Sequence, residues 1–308
     1  RMDKMNLLSI NTNIIPNVRL IGHVSYTKPW IHFERTINEY ILYIMKSGEL
    51  YIQEGDTKYS LKKGDMLLLE PNITHKGFKP SCCHYYYIHF KHPSIHTVID
   101  KSYDEISQHI IQRRKQSLSS NIYEYDIEDD FLYYFPKYYH IENENEIMTL
   151  LTIIDNVFYE KYEGYKRIAS LKFLELLIAI SKDYTSTKIS SVQAHFSKAF
   201  VKCRSIINYL NNNYSKKINS KDIGEIFESN YDYLNRVFHK MTGYTITNYL
   251  NYIRINRAKE LLTTTPIKIS DICYLVGIDD PYYFSKLFKK YTGMSPTQYL
   301  KDENNMDI

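Results

Sequence analysis

Asp232, Asn235, Arg236 and His239, in the segment YDYLNRVFHKMTG, stand at i, i+3, i+4 and i+7. On a helix they would form a single stripe. These residue types read base edges: a guanidinium forks onto guanine O6 and N7, and a carboxamide onto adenine. Fifty residues on, PYYFSKLFKKYTG repeats the arrangement with Tyr282, Ser285, Lys286 and Lys289. Lys240 and Lys290 hold equivalent places late in the two segments, where phosphate contacts are expected, and Arg254 between them is a further candidate. The competing reading of each is a solvated helix face, and for Arg254 a structural ion pair.

Such stripes need helices to hold them, and a duplication supplies the pattern. YDYLNRVFHKMTGYTITNYL (231–250) lies over PYYFSKLFKKYTGMSPTQYL (281–300), and upstream KDIGEI (221–226) lies over SDICYL (270–275). Each copy has the parts of a helix-turn-helix. In the first, Ser220 is expected to cap a short helix 221–227, and Ser229 or Asn230 a longer one, 231–242. In the second, Ser270 starts the short helix, and Asp280 with Pro281 supplies the cap and first turn of the longer one. Gly224 and Cys273 put small side chains where two helices cross. Leu234, Val237, Phe238 and Met241, and in the other copy Phe284, Leu287, Phe288 and Tyr291, face inward; Gly243 and Gly293 end the longer helices. A connecting helix, Thr245 to Leu262, spans about 27 Å. That length suits two reading helices about one DNA turn, or about 34 Å, apart.

The first ninety residues read differently. VRLIGHVSY, EYILYIM, ELYIQ, KYSL, DMLLLE and HYYYIHF are short strands parted by turn signals at Gly48, Gly55-Asp56 and Gly64-Asp65, as in an antiparallel sandwich or small barrel. Alternation puts Tyr85, Tyr87 and His89 on one face of the last strand, and His84, Tyr86, Ile88 and Phe90 on the other. An acidic, Tyr-rich stretch, YEYDIEDDFLYYF, fits no element. Two amphipathic helices follow, 145–161 and 165–181, either as core alone or also as a dimer seam, and the Ser/Thr-rich segment after them reads as a linker.

Composition narrows the class. Between Val201 and Leu300, 14 Lys/Arg stand against 8 Asp/Glu, a surplus of 6 that leaves −2 for the rest of a chain whose net charge is +4. That asymmetry points to a polyanion partner for the C-terminal third. The longest apolar run, Leu171 to Ile180, is broken by Lys172 and Glu175 and cannot span a bilayer. No charged-then-apolar leader opens the sequence, so a cytoplasmic location without membrane association is expected. The four cysteines form no CxxC pair, which argues against structural zinc.

RINRAKELL (254–262), ISDICYLVGIDDPYYFSKLFKKYTGMSP (269–296) and the weaker first copy resemble the DNA-binding domain of the AraC-type (arabinose regulator) family over about Phe200 to Lys301. Two features depart from the family: Gly224 and Cys273 stand where it usually has alanine, and the acidic pair Asp279-Asp280 precedes the second longer helix. SLKKGDMLLLEPNITHKGF (60–78) with HYYYIHF (84–90) is similar to the cupin-like sensor barrel that often precedes that domain. The resemblance turns the face of Tyr85, Tyr87 and His89 toward a ligand. It also places Trp30 and Arg35 on the segment that enters the barrel, where the family's arginine contacts sugar hydroxyls. Of the histidines that bind metal in enzymatic cupins only His75 aligns, so neither a metal nor another cofactor is expected.

An α+β two-domain chain is therefore expected. A cupin-like antiparallel β-barrel would occupy 1–140, a dimerising helical pair 141–182, a linker 183–199, and an all-α domain of two helix-turn-helix units joined by a long helix 200–308. The expected function is a sequence-specific transcription regulator, an activator, controlled by a small-molecule effector in the barrel. A sugar suits Trp, Tyr, Arg and His side chains best, stacking on the ring and bonding its hydroxyls. The partners expected are double-stranded DNA, that effector, RNA polymerase and a second copy of the chain. Two alternatives stand: a virulence-type regulator sensing a fatty acid or other apolar effector, and a metal-dependent cupin enzyme fused to a DNA-binding domain. Ordinary barrel core remains the competing reading of Trp30 and the tyrosines.

Overall fold

The structure, a computed structural model, describes residues 7–98, 103–118, 131–192 and 194–306. The chain divides into two compact units, one of Arg1–Tyr103 with Ile127–Gln193, the other of Asp104–Asp126 with Ala194–Ile308. The expected first domain, 1–140, is thus interrupted: helix α1 (Tyr103–Gln116) groups with the C-terminal unit. Leu118, just after it, is buried there in one core with Cys203, Ile206 and Leu210. Of the acidic Tyr-rich stretch, 123–130 lies outside the described residues.

In the first unit the strands are β1 (Leu7–Asn11), β2 (Asn17–Trp30), β3 (Tyr40–Glu54), β4 (Thr57–Lys62), β5 (Asp65–Leu69), β6 (His75–Lys79), β7 (Ser81–Lys91), β8 (Ile95–Thr97), β9 (Leu132–Pro136) and β10 (Tyr138–His140). One sheet runs β8-β1-β9; the larger runs β10-β5-β3-β7-β2, with β4 and β6 also on β3. All these pairings are antiparallel. This is the expected cupin-like, sheet-rich domain. Its hub is β3, which the sequence had suggested as two strands parted by a turn at Gly48. Gly48 instead bends one 15-residue strand at an irregularity, with φ +74° and the Cys82 carbonyl 2.3 Å from where a Cβ would sit. Only glycine fits so close to a neighbouring backbone at that φ. The bend lets the first half of β3 pair with β5 and β7 and the second half with β4 and β6.

Alternation divides the apolar residues into two cores. Ile41, Tyr43 and Met45 of β3 join Cys83 and Tyr85 of β7 in one. Leu42, Ile44, Tyr86, Ile88 and Phe90 join helices α2 (Glu144–Glu160) and α3 (Tyr165–Val192) in the other. The helical pair is therefore part of the sensor's own core, through Ile147, Leu151, Ile154, Phe173, Leu177 and Ile180. The segment expected as linker, 183–199, is helical on both sides of residue 193, in α3 and in α4 (Ala194–Asn213). The boundary between the two units falls inside it, after Gln193, and Thr185 and Thr187 donate to the carbonyls of Lys182 and Asp183, satisfying hydroxyls that would otherwise compete with the helix.

The second unit continues with α5 (Ser220–Ile226), α6 (Tyr231–Thr242), α7 (Ile246–Thr264), α8 (Ile269–Leu275), α9 (Pro281–Thr292) and α10 (Pro296–Met306). Helix α7 serves both halves: Tyr249, Leu250 and Ile253 pack with α4–α6, while Ile255, Ala258 and Leu262 pack with α8 and α9. Two caps differ from expectation. Asn219 starts α5, in a reciprocal pair with Asp222, where Ser220 was expected; α8 starts at Ile269 after Lys268 with no side-chain cap, so Ser270 is already helical. No helix among the described residues is long and apolar enough to cross a membrane.

Candidate DNA interface and sensor pocket

Both reading helices are set as the repeat requires. Asn230 accepts from the backbone N–H of Asp232 and Tyr233, Asp280 from that of Tyr282, and Gly243 and Gly293 close the two helices at φ +79° and +83°. Leu234 and Phe238, and in the second copy Phe284, Leu287 and Phe288, are buried against the other helices. The opposite faces are left to solvent. On α6 these are Asp232, Arg236, His239 and Lys240; on α9, Tyr282, Lys286, Lys289 and Lys290 are exposed and Ser285 is half-buried. Tyr282, 80% exposed at the start of α9, has no core to belong to.

Two candidates do not stand free. Asn235 turns its carboxamide oxygen to the Ile246 N–H, 2.9 Å away, and so fixes α6 to the start of α7. Arg254 is held by backbone carbonyls: Nε donates to that of Tyr214 at 2.8 Å and Nη2 to that of Lys216 at 2.9 Å. Burial lowers its pKa from the usual value, with Tyr283 and Asp279 opposing. It is a strut between α7 and the turn after α4.

In the sensor, the structure brings Arg35 and His75 together across an isolated antiparallel bridge. Arg35 Nε donates to His75 Nε2 at 3.0 Å and Nη2 to the Tyr43 hydroxyl at 3.3 Å. Tyr43 in turn lies 3.1 Å from His32 Nε2, and His32 Nδ1 donates to the Phe33 carbonyl at 2.7 Å. Trp30 stacks on Tyr26 with ring centroids 4.2 Å apart and meets His32 edge-on. Tyr85 packs edge-on against Tyr43, and Tyr87 against His89. All six sequence candidates thus fall within one aromatic and basic cluster. The sequence reading missed His32, Tyr43 and Tyr26. Tyr43 shares the alternation of β3 with buried Ile41 and Met45, a signal that was legible; His32 lies in an irregular segment without one.

The imidazoles here are neutral. Burial, with the Arg35 charge beside them, pulls His32 and His75 down to about 4. His89 is also held at about 4 by burial, with Arg35 and Arg19 adding to it, although Glu39 lies 3.3 Å from Nδ1. Glu39 is matched instead by Arg19, whose Nε is 2.6 Å away. Tyr43, fully enclosed, is pushed up to about 12 by burial. Among the described residues no three His, Cys, Asp or Glu side chains converge as metal ligands. The Arg35 Nε–H occupies the His75 Nε2 lone pair.

The AraC-like ligand binding domain family matches residues 22–122, and the helix-turn-helix domain family matches 225–302. Over 283 residues the chain is 28% identical to the HTH-type transcriptional regulator YisR of Bacillus subtilis (strain 168), covering 91% of this chain and 92% of that protein. It is 24% identical over 262 residues to the lactose operon transcription activator of Staphylococcus xylosus, covering 84% and 82%. Among solved structures, the C-terminal domain of AraT, a response regulator from Geobacillus stearothermophilus, is 31% identical, covering 33% of this chain and 84% of that one with a TM-score of 0.32. With a ligand-binding domain of that family before a double helix-turn-helix unit, the chain belongs to the AraC-type family of transcription regulators.

Proposed function

We propose that the chain is an activator that binds specific DNA sequences through α6 and α9 and responds to a sugar-sized effector held inside the N-terminal sheet domain. One observation carries the effector site. Arg35 Nη1, Trp30 Nε1 and the hydroxyls of Tyr26, Tyr85 and Tyr87 have no hydrogen-bond partner among the described residues, yet all five side chains belong to one cluster. Donors and hydroxyls that the fold itself does not use, gathered in one place beside aromatic rings, are available to a ligand. Rings available for stacking beside polar groups suit a carbohydrate. The similarity to a lactose operon activator points the same way. On this reading the chain is not an enzyme, works in the cytoplasm and meets RNA polymerase at the promoter.

Dimerisation is proposed along α2 and α3. A groove of about 780 Å³ lies between them, lined by Leu150, Leu171, Leu174 and Ile178, with Glu146, Glu175 and Lys182 at its margins. Acid and base on one apolar face allow a second copy to pair with it about a two-fold axis, Glu against Lys. Sedimentation should show a dimer that Leu171→Glu dissociates; an unchanged association state would remove this face from the proposal.

The regulatory reading is tested by a thermal-shift screen of full-length protein against sugars and fatty acids, followed by footprinting with each hit. A ligand that binds only the folded state raises the melting temperature. Sugar hits that change the footprint are the expected result; hits confined to fatty acids would select the apolar alternative.

A further inference from the structure

Every side-chain partner of Arg35 among the described residues is neutral. Nε meets His75, Nη2 meets the Tyr43 hydroxyl, and the guanidinium carbon lies 5.1 Å from the centre of the Phe33 ring. The acids nearby are engaged elsewhere: Glu39 pairs with Arg19, and Glu34 pairs with Lys76 at 2.8 Å. Farther along the sheet, Glu54 and Glu70 both bind Lys137. Arg35 is thus a half-buried cation without a counter-charge among the described residues. Buried charges are ordinarily paired.

Two of the cluster's unpaired groups can only donate, and the ring nitrogens that could accept are taken. His75 Nε2 already accepts from Arg35, and His32 Nε2 from Tyr43. His89 Nδ1 faces Arg19 and Glu39. What remains unpaired is the Arg35 Nη1 edge and the Trp30 indole N–H, which only donate, and three tyrosine hydroxyls, which donate or accept. A neutral sugar could bond to these groups but would leave the Arg35 charge unmatched. A carboxylate or phosphate brings acceptors alone, and arginine's planar fork is the side chain best matched to either.

Resting on the effector site proposed above, we infer that the effector carries an oxyanion, a carboxylate or phosphate on a sugar-sized ring, bound by the free edge of Arg35 beside Trp30 and Tyr87.

Calorimetric titration of full-length protein with glucose, glucuronate, glucose 6-phosphate and inorganic phosphate tests this. Glucuronate or glucose 6-phosphate should bind at least about tenfold more tightly than glucose. The better of the two identifies the oxyanion, and inorganic phosphate, lacking the ring, should be weaker than glucose 6-phosphate. Arg35→Gln should erase the preference, while Arg35→Lys, which keeps charge without the fork, should retain part of it. The comparison within the native protein requires no variant, so a folding defect in Arg35→Gln does not block the test. Equal binding of glucose, a preference that survives in Arg35→Gln, or no binding by either sugar oxyanion overturns the inference. If glucose binds as tightly as the sugar oxyanions and alters the footprint, the effector-site reading stands and only the oxyanion falls. If glucuronate binds with the stated preference but leaves the footprint unchanged, the oxyanion site stands and the regulatory reading fails.

Discussion

The two helix-turn-helix copies share a backbone and differ in what holds it. In the first, the turn between α5 and α6 passes through Glu228 at φ +47°; in the second, the equivalent place in the turn between α8 and α9 is Gly277 at +79°. The turns are otherwise alike: Ser229 N–H donates to the Gly224 carbonyl and Ile278 N–H to that of Cys273, each at 3.0 Å. Where the first copy has Gly224, whose added Cβ would lie 3.2 Å from the Ser229 carbonyl, the second fits Cys273 with its sulfur 2.8 Å from the Ile278 carbonyl. The outward faces differ too: α6 carries Asp232 with Arg236, His239 and Lys240, whereas α9 carries three lysines and no acid. One backbone can therefore be reached with different tolerances, and equivalent residues need not do equivalent work.

The largest expected effect is at Gly277. A Cβ there would sit 2.7 Å from the carbonyl oxygens of both Tyr214 and Ser215, at a φ that side chains avoid. Gly277→Ala should cost about 2–4 kcal/mol, from left-handed strain and overpacking against backbone that Arg254 already fixes. Gly224→Ala, at the tighter of two positions that otherwise match, should change stability by less than about 1 kcal/mol, since helix propensity offsets the contact. Urea unfolding of both variants checks the contrast. Equal losses would show that the second turn is no more constrained than the first.

The faces should separate in DNA binding. Arg236→Ala is expected to cost about 1–3 kcal/mol on the preferred site and to relax preference at one base pair. Lys290→Ala should weaken all sequences alike and lower the salt slope by about 1. A randomised-site selection with each variant decides; if both lose affinity uniformly, the groove-facing assignment of α6 is wrong.

Much of this unit was legible because its determinants are local. Caps, glycine stops and a 3.6-residue period lie within a dozen residues of one another, so Asn230, Asp280, Gly243 and Gly293 fell where the pattern put them. The contacts that Asn235 and Arg254 make within the fold were not legible because their partners are remote: Ile246 lies 11 residues away, and Tyr214 lies 40. A helical stripe says which way a side chain leaves the helix and nothing of what meets it there. The sensor obeys the same limit. Alternation sorted Tyr85 and Tyr87 onto one face, but His32 joins the cluster through the Tyr43 hydroxyl from a segment with no period to read. Gly48 looked like a turn because turns and bulges use the same residue for the same reason.

The smallest effect sharpens the comparison from the opposite side. Glu228 holds a left-handed conformation that costs a non-glycine residue about 1–2 kcal/mol, whereas the second copy has placed glycine there. Glycine loses more chain entropy on folding, which returns part of that gain. Glu228→Gly should therefore stabilise the unit by about 0.5–1 kcal/mol, and it leaves every residue of the α6 stripe in place. The Glu228 N–H bond to the Glu225 carbonyl, at 3.2 Å, is made by the backbone and survives the change. A rise in the urea midpoint at constant slope, with unaltered affinity for the preferred site, is the expected result. A fall in the midpoint would mean that the Glu228 side chain supports the first turn in a way its backbone angle does not reveal, and the two turns would then differ in mechanism as well as in residue.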